Sequence, residues 1–381
     1  MTGLGWIELV VGLVVTLATF FDLFQSVVLP RPSINRFIFV RVLFFGTWSI
    51  WRWIGRRFRN AARRETWLAA FGPAAVIGMF LTWALAFLLG YALILDGLRT
   101  QIRPQLTSFG EALYLSATTI VPLSYGDFVP EGGIARLAII LESATGIGVA
   151  ALVITLLFSL YESFQDREEL VVTLDAIAGA PPSGVHLLET VAERGLHDEL
   201  VKTFSDWRQW SAAVLESHLA YPVLFYFRSS HDNEAWLNSF GAVMDAAALV
   251  ISTVDEDVEG PARLMFTVGY HLVEDMAWSF GYHGSEDPLV DREEFDQAAA
   301  RLEAAGYEVR PADAAWEHFA LVRAKYAWTL KRAGERLGIT PAAWVGDSSY
   351  VPHADGRGRS RRRKSVSPPP REAVPPQARR E

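Results

Sequence analysis

Cysteine is absent from all 381 residues. That excludes disulfides, thiol catalysis and cysteine-held zinc or iron–sulfur centres, and leaves the redox compartment unread. Acidic residues are missing from a second place: nine arginines lie between Arg31 and Arg64 with no aspartate or glutamate among them. Charge of either sign is scarce in three long apolar runs, Trp6–Leu29, Thr66–Leu95 and Ile134–Leu160. Strand signals are few, and no Walker loop, Ser/His/Asp elbow or paired-carboxylate frame is present. Nucleotide hydrolysis and the common hydrolytic chemistries therefore have no support, and the chain reads as a non-enzyme.

What is present is strongly segregated. The chain is 51% hydrophobic, with the apolar residues concentrated before residue 162, and its mean hydropathy is +0.18. The net charge of −8 hides a basic block before residue 65, an acidic region over 162–345 and a second basic block after residue 355. This is the composition of a membrane region followed by a soluble one.

The run Trp6–Leu29 is long enough to cross a hydrocarbon core of about 30 Å, and too long for a cleavable signal peptide. Residues 1–30 thus predict a transmembrane helix. Its internal charge, Asp22, is expected near the cytoplasmic interface, paired with an arginine. In residues 31–65, a period of 100° per residue puts Arg41, Arg52, Arg56, Arg59 and Arg63 on one face, beside an aromatic face. That pattern describes a basic helix in the membrane interface, touching anionic lipids through Arg41, Arg52, Arg56 and Arg59. A short span over 37–54 is the alternative. A voltage sensor would need further helices carrying acids ahead of the arginines, and the chain has a single helix there. Either way the arginines mark the cytoplasmic side. The N-terminus is then outside with three spans, or inside with four.

Between the last two apolar runs lies Ser116-Ala-Thr-Thr-Ile-Val-Pro-Leu-Ser-Tyr-Gly-Asp127, too polar to cross a bilayer. Irregular backbone at membrane depth is tolerated only where it is buried or lines a water-filled path. Ser108–Val121 has the length of a re-entrant half-helix, with Ser108 as N-cap and Glu111 completing a capping box. Its C-terminal dipole end favours a cation.

The stretch resembles the pore loop of the bacterial potassium channel family, whose filter reads Thr-Val-Gly-Tyr-Gly-Asp. The matching positions here are Pro122, Leu123, Ser124, Tyr125, Gly126 and Asp127, preceded by Thr118 and Thr119 on the half-helix. Tyr125, Gly126 and Asp127 match, Leu123 is a mild change, and Pro122 and Ser124 depart. Pro130, Arg136 and Gly146 follow Tyr125 by five, eleven and twenty-one residues, the family spacing for an extracellular proline, an arginine opening the inner helix and a hinge glycine. The resemblance implies a pore domain over 66–162, with outer helix 66–95, pore helix 108–121, filter 122–127 and inner helix 134–160. It implies a homotetramer passing ions passively, with backbone carbonyls replacing the hydration shell and Gly146 and Gly148 as the inner-helix hinge. Glu142 is expected to hydrogen-bond behind the filter. Pro122 removes a hydroxyl site and fixes φ, and Ser124 stands where glycine is expected. The ion can thus be K⁺ or monovalent cations in general, or the subunit can be silent.

Residues 163–345 predict an acidic, all-helical cytoplasmic domain with helices near 167–178, 184–195, 197–219, 233–254, 261–282, 292–306 and 312–337. This domain lacks the G-x-G-x-x-G loop of nucleotide-binding gating domains. His271, Glu274 and Asp275 share a helix face, the pattern of a solvated polar surface more than of a metal site. The tail 346–381 is rich in Arg, Pro and Ser and predicts disorder, with lipid rather than nucleic acid as the partner of its basic run. The fold class is an all-α membrane protein in the plasma membrane, a tetrameric pore-loop fold plus a helical soluble domain. No cofactor or structural metal is expected beyond the permeant cation. A membrane-anchored interaction protein, acting through the helical domain, is the reading from a different class.

Overall fold

The computed structural model describes residues 3–28, 39–123, 125–229, 235–255, 257–284 and 287–345. Ser124 and the tail from residue 346 lie outside the described residues, as do the side chains of 39–45, Arg41 among them. Three described helices are long and apolar enough to cross a membrane: Gly3–Val27, Ala62–Gly97 and Gly133–Ala178.

The first of these comprises α1 (Gly3–Leu23) and a π-helical turn (Phe24–Val28). It packs along α4 (Phe71–Gly97), and small residues set the separation. A Cβ added to Gly12 would lie 2.5 Å from the Gly90 carbonyl oxygen, so the two backbones touch directly, as small-residue interfaces in membranes allow. Asp22 accepts a hydrogen bond from the Trp83 indole at 2.8 Å. A tryptophan N–H on the neighbouring helix is thus one described partner of Asp22, and Arg31 and Arg36 lie outside the described residues. At the other end of the pair, Glu8 meets Arg99 at 3.4 Å. The helices are therefore antiparallel, and the chain between them begins and ends at the same end of the pair.

The basic segment holds α2 (Phe39–Gly55) and α3 (Ala61–Ala69), the latter capped by Asn60. Trp51 and Trp67 stack with centroids 4.3 Å apart, and each indole donates to the other's carbonyl, at 2.8 and 3.1 Å. The second span runs straight out of this pair, as α3 hands over to α4 at Ala70.

The third span is the inner helix α6 (Gly133–Ala178). The expected stop at residue 160 and fresh start near 167 do not occur. At 1.5 Å per residue its 46 residues reach about 70 Å, more than twice a hydrocarbon core. The polar stretch after Leu160 reads as a linker only if its charges need solvent. Arg167, however, is buried at 1% exposure and fully engaged, so the helix continues through it.

The C-terminal domain consists of α7 (Gly184–Arg194), α8 (His197–Ala220), α9 (Trp236–Ser252), α10 (Glu259–Phe280), α11 (Arg292–Ala305), α12 (Ala312–Ala324) and α13 (Ala327–Leu337). Nearly every residue of α9 is buried, which makes it the central helix, apolar on all sides because others surround it. Val171, Leu174 and Ala178 of α6 join the same core. The helix expected over 312–337 is broken at Lys325–Tyr326. There the buried Tyr326 turns its hydroxyl onto Asp245, which also accepts from Arg323 Nε at 3.0 Å.

Candidate pore loop

Residues 98–132 dip in and return. A two-residue ladder, β1 (Ile102–Arg103) with β2 (Val129–Pro130), closes the loop. Gln101 fixes its base, its carbonyl accepting from Glu131 N at 2.8 Å and its side chain from Ala135 N at 3.2 Å. Arg136 donates to the Pro130 carbonyl at 3.2 Å, so two residues singled out by spacing meet in space.

Within the loop stands α5 (Phe109–Ile120), 12 residues and about 18 Å long, roughly half a bilayer. Ser108 caps it, accepting from Glu111 N. The Glu111 carboxylate reaches one residue further back than a capping box requires, accepting from the backbone and hydroxyl of Thr107 at 2.6 and 2.9 Å.

The C-terminal half of α5 is tied to both flanking helices through hydroxyls. Ser116, fully buried, directs its hydroxyl to the Leu88 carbonyl of α4 at 3.0 Å and to the Glu142 carboxylate of α6. Ser143 donates to the Thr119 carbonyl at 3.1 Å. Tyr91 of α4 hydrogen-bonds Thr145 of α6 at 2.8 Å. Glu142, at 0% exposure, thus stands against the side of α5 that carries Ser116. Ser116, Ser143, Tyr91 and Thr145 were not among the expected site residues. Their signal was present as hydroxyls in otherwise apolar spans, positions that in a lipid-like setting need a partner helix.

Gly146 sits where α6 passes the end of α5. A Cβ there would fall 1.9 Å from the Ile120 carbonyl oxygen, whereas one on Gly148 would meet nothing within 4 Å. Gly146 is therefore a close-approach glycine, α6 is unbroken through both positions, and Gly148 keeps the open surroundings.

After α5 the chain turns, with Leu123 N bonded to the Thr118 carbonyl at 2.8 Å. Pro122 has φ of 22°, far from the about −65° its ring favours, so the start of the stretch after α5 is held in strained backbone. Gly126 has φ of 81°, the left-handed region that glycine occupies freely. Leu123 and Tyr125 are 50% and 66% exposed on the single chain. The Asp127 carboxylate neighbours the Tyr114 hydroxyl on α5. Thr118 and Thr119 are buried on α5. Among the described residues no group of three or more His, Asp and Glu side chains is placed to hold a metal ion, the His271–Asp275 face included.

Two comparisons with known proteins bear on this arrangement. Residues 76–163, less than half of the chain, match a family model described as "Ion channel". The uncharacterized membrane protein YdjJ of Bacillus subtilis (strain 168) is 24% identical over 210 residues, covering 53% of this chain and 59% of the relative. The match thus spans less than two thirds of that protein. No solved structure matches the chain. The family match and the geometry agree on one point: residues 76–163 are similar to an ion channel domain, and there two membrane-length helices flank one of half that length.

Proposed function

We propose that the protein is a passive channel for K⁺ or monovalent cations in general, built as a homotetramer in the plasma membrane. One chain supplies one pore loop, a quarter of a filter. The observation that carries this reading is the exposure of the loop on a lone chain. Leu123 and Tyr125 stand out from the surface, and Ile140, Ile147 and Phe158 of α6 are exposed by 61% or more. Exposed apolar area on a membrane segment needs lipid or another subunit. Around a central axis these surfaces become subunit contacts and pore wall.

In this reading carbonyls from Pro122 to Gly126 replace the ion's water, Asp127 lies at the outer mouth, and Ser124 completes the filter between Leu123 and Tyr125. The C-terminal end of α5 aims its dipole at the cavity, and Thr118 and Thr119 sit just behind. Gly148 supplies the hinge, while Gly146 locks pore helix to inner helix. With the arginines of 31–64 facing the cytoplasm, α2, α3 and the C-terminal domain lie on that side and the N-terminus lies outside. The acidic domain then raises the local cation concentration near the inner mouth.

Arg167 offers a route from domain to gate. It donates to the Leu224 and Phe227 carbonyls at 3.0 and 2.7 Å, pairs with Glu168 at 2.9 Å, and its own carbonyl accepts from the Trp210 indole at 2.9 Å. Movement of the domain is thereby movement of the inner helix. One observation favours a second reading, a silent subunit: the strained Pro122 at the inner end of the filter. A cysteine-free chain makes the test direct. With a single cysteine at Gly148, a cationic thiol reagent should block flux through reconstituted protein, and four copies should be found per particle by native mass. Unblocked flux, or a particle of fewer copies, would sink the assembly.

A further inference from the structure

We propose that the groove between α2, α3 and α13 is a binding site for a phosphate-bearing anion, shared between the basic N-terminal helices and the C-terminal domain. The groove has a volume of about 790 Å³, in the range of small-molecule sites. Five arginines line it: Arg52 of α2, Arg56 in the turn that follows, Arg64 of α3, and Arg332 and Arg336 of α13. Glu335 is the single acid in the lining.

The five do not stand alike. Arg52 is held in place by donating Nη1 to the Glu335 and Arg336 carbonyls at 3.0 and 3.2 Å, at the C-terminal end of α13. Arg332 is paired with Glu335 at 2.7 Å. Arg56 and Arg64 are exposed, and neither has a carboxylate partner among the described residues. Burial, with the neighbouring charges of Arg56 and Arg336, lowers the pKa of Arg52, which is how a group short of countercharge behaves. An anion in the groove relieves that deficit. Guanidinium forks match phosphate oxygens two at a time, which makes a phosphate the fitting chemistry.

The arginine period over 31–65 points to lipid contact through Arg41, Arg52, Arg56 and Arg59. The folded chain selects differently. Arg64 and the two arginines of α13 join Arg52 and Arg56, while Arg59 and Arg63 lie outside the groove. Because α3 continues into the second span, an occupant would brace that span against the C-terminal domain. The inference does not depend on conduction, since its readout is binding.

The test uses the full chain purified in detergent, with two probes: sodium pyrophosphate for a soluble ligand, and phosphatidylglycerol against phosphatidylcholine for a headgroup. Pyrophosphate binding is read by calorimetry and lipid retention by native mass spectrometry. Wild type should bind at least one probe saturably. Arg56→Gln/Arg64→Gln should weaken it about tenfold or more, and Arg59→Gln/Arg63→Gln should change it less than about threefold. Pyrophosphate binding alone identifies a soluble phosphate, lipid retention alone a headgroup, and both together a site open to either. All three support the site. Since Arg56 and Arg64 make no side-chain bond among the described residues, the unliganded melting temperature should not move. No binding of either probe, no loss in the groove variant, or equal loss in both double variants would overturn the proposal.

Discussion

The Ser116 hydroxyl on the pore helix points to the Glu142 carboxylate on the inner helix, and both residues are fully buried. A polar pair so placed holds α5 at a fixed depth, because a buried polar atom without its partner costs about 1–3 kcal/mol. Glu142→Gln keeps an acceptor and should retain flux within a few-fold. Glu142→Ala should lower flux far more and reduce tetramer melting temperature. Equal behaviour of the two variants in flux and melting would show that the pair does not position the pore helix.

Gly146 and Gly148 separate packing from hinging. Gly146→Ala would put a carbon 1.9 Å from the Ile120 carbonyl and should destabilise by about 1–3 kcal/mol, the cost of forced overpacking. Gly148→Ala meets open space and should assemble normally while shifting open probability. Thermal melting of the assembled protein together with single-channel recording checks both.

A pH dependence follows from His218, which lies 3.4 Å from Arg167. Burial, and then the Arg167 charge, hold its pKa well below 6.5. The folded chain therefore binds fewer protons than the unfolded one as pH falls below 6.5, so stability is present above that value and lost below it. Melting temperature should drop between pH 7 and pH 5, and His218→Phe should flatten the part due to this site. An unchanged pH profile in the variant would contradict the assignment. With Ser217 and Phe225 also against the ring, the replacement keeps an aromatic in the same space.

Pro122→Thr restores a hydroxyl and releases φ at the inner end of the filter. The K⁺ over Na⁺ permeability ratio should rise relative to wild type, read as a shift in reversal potential under bi-ionic conditions. A fall would mean that the strained proline is itself part of the selective geometry.

The helices were legible where one local signal decided them. The stretch around Ser116–Asp127 reads as a loop because it is polar between spans, and α9 reads as a helix from its apolar run. What stayed hidden were effects of partners distant in sequence. The unbroken course of α6 past Leu160 depends on Arg167 finding the Leu224 and Phe227 carbonyls, more than fifty residues away. The break between α12 and α13 depends on Asp245 drawing in Tyr326. The arginines of 31–65 show period and face, but nothing in the period says that α13 closes over Arg52 and Arg56. Gly146 reads equally as hinge or contact until the Ile120 carbonyl is seen beside it.

Conduction is the central claim, and flux through purified protein in liposomes tests it most directly, with K⁺ and Na⁺ measured separately beside a Tyr125→Ala control. Cation flux down the gradient is expected, with K⁺ at least as fast as Na⁺, as is its loss in the control. Absence of flux for both ions across several pH values and voltages, or flux unaffected by Tyr125→Ala, would contradict it.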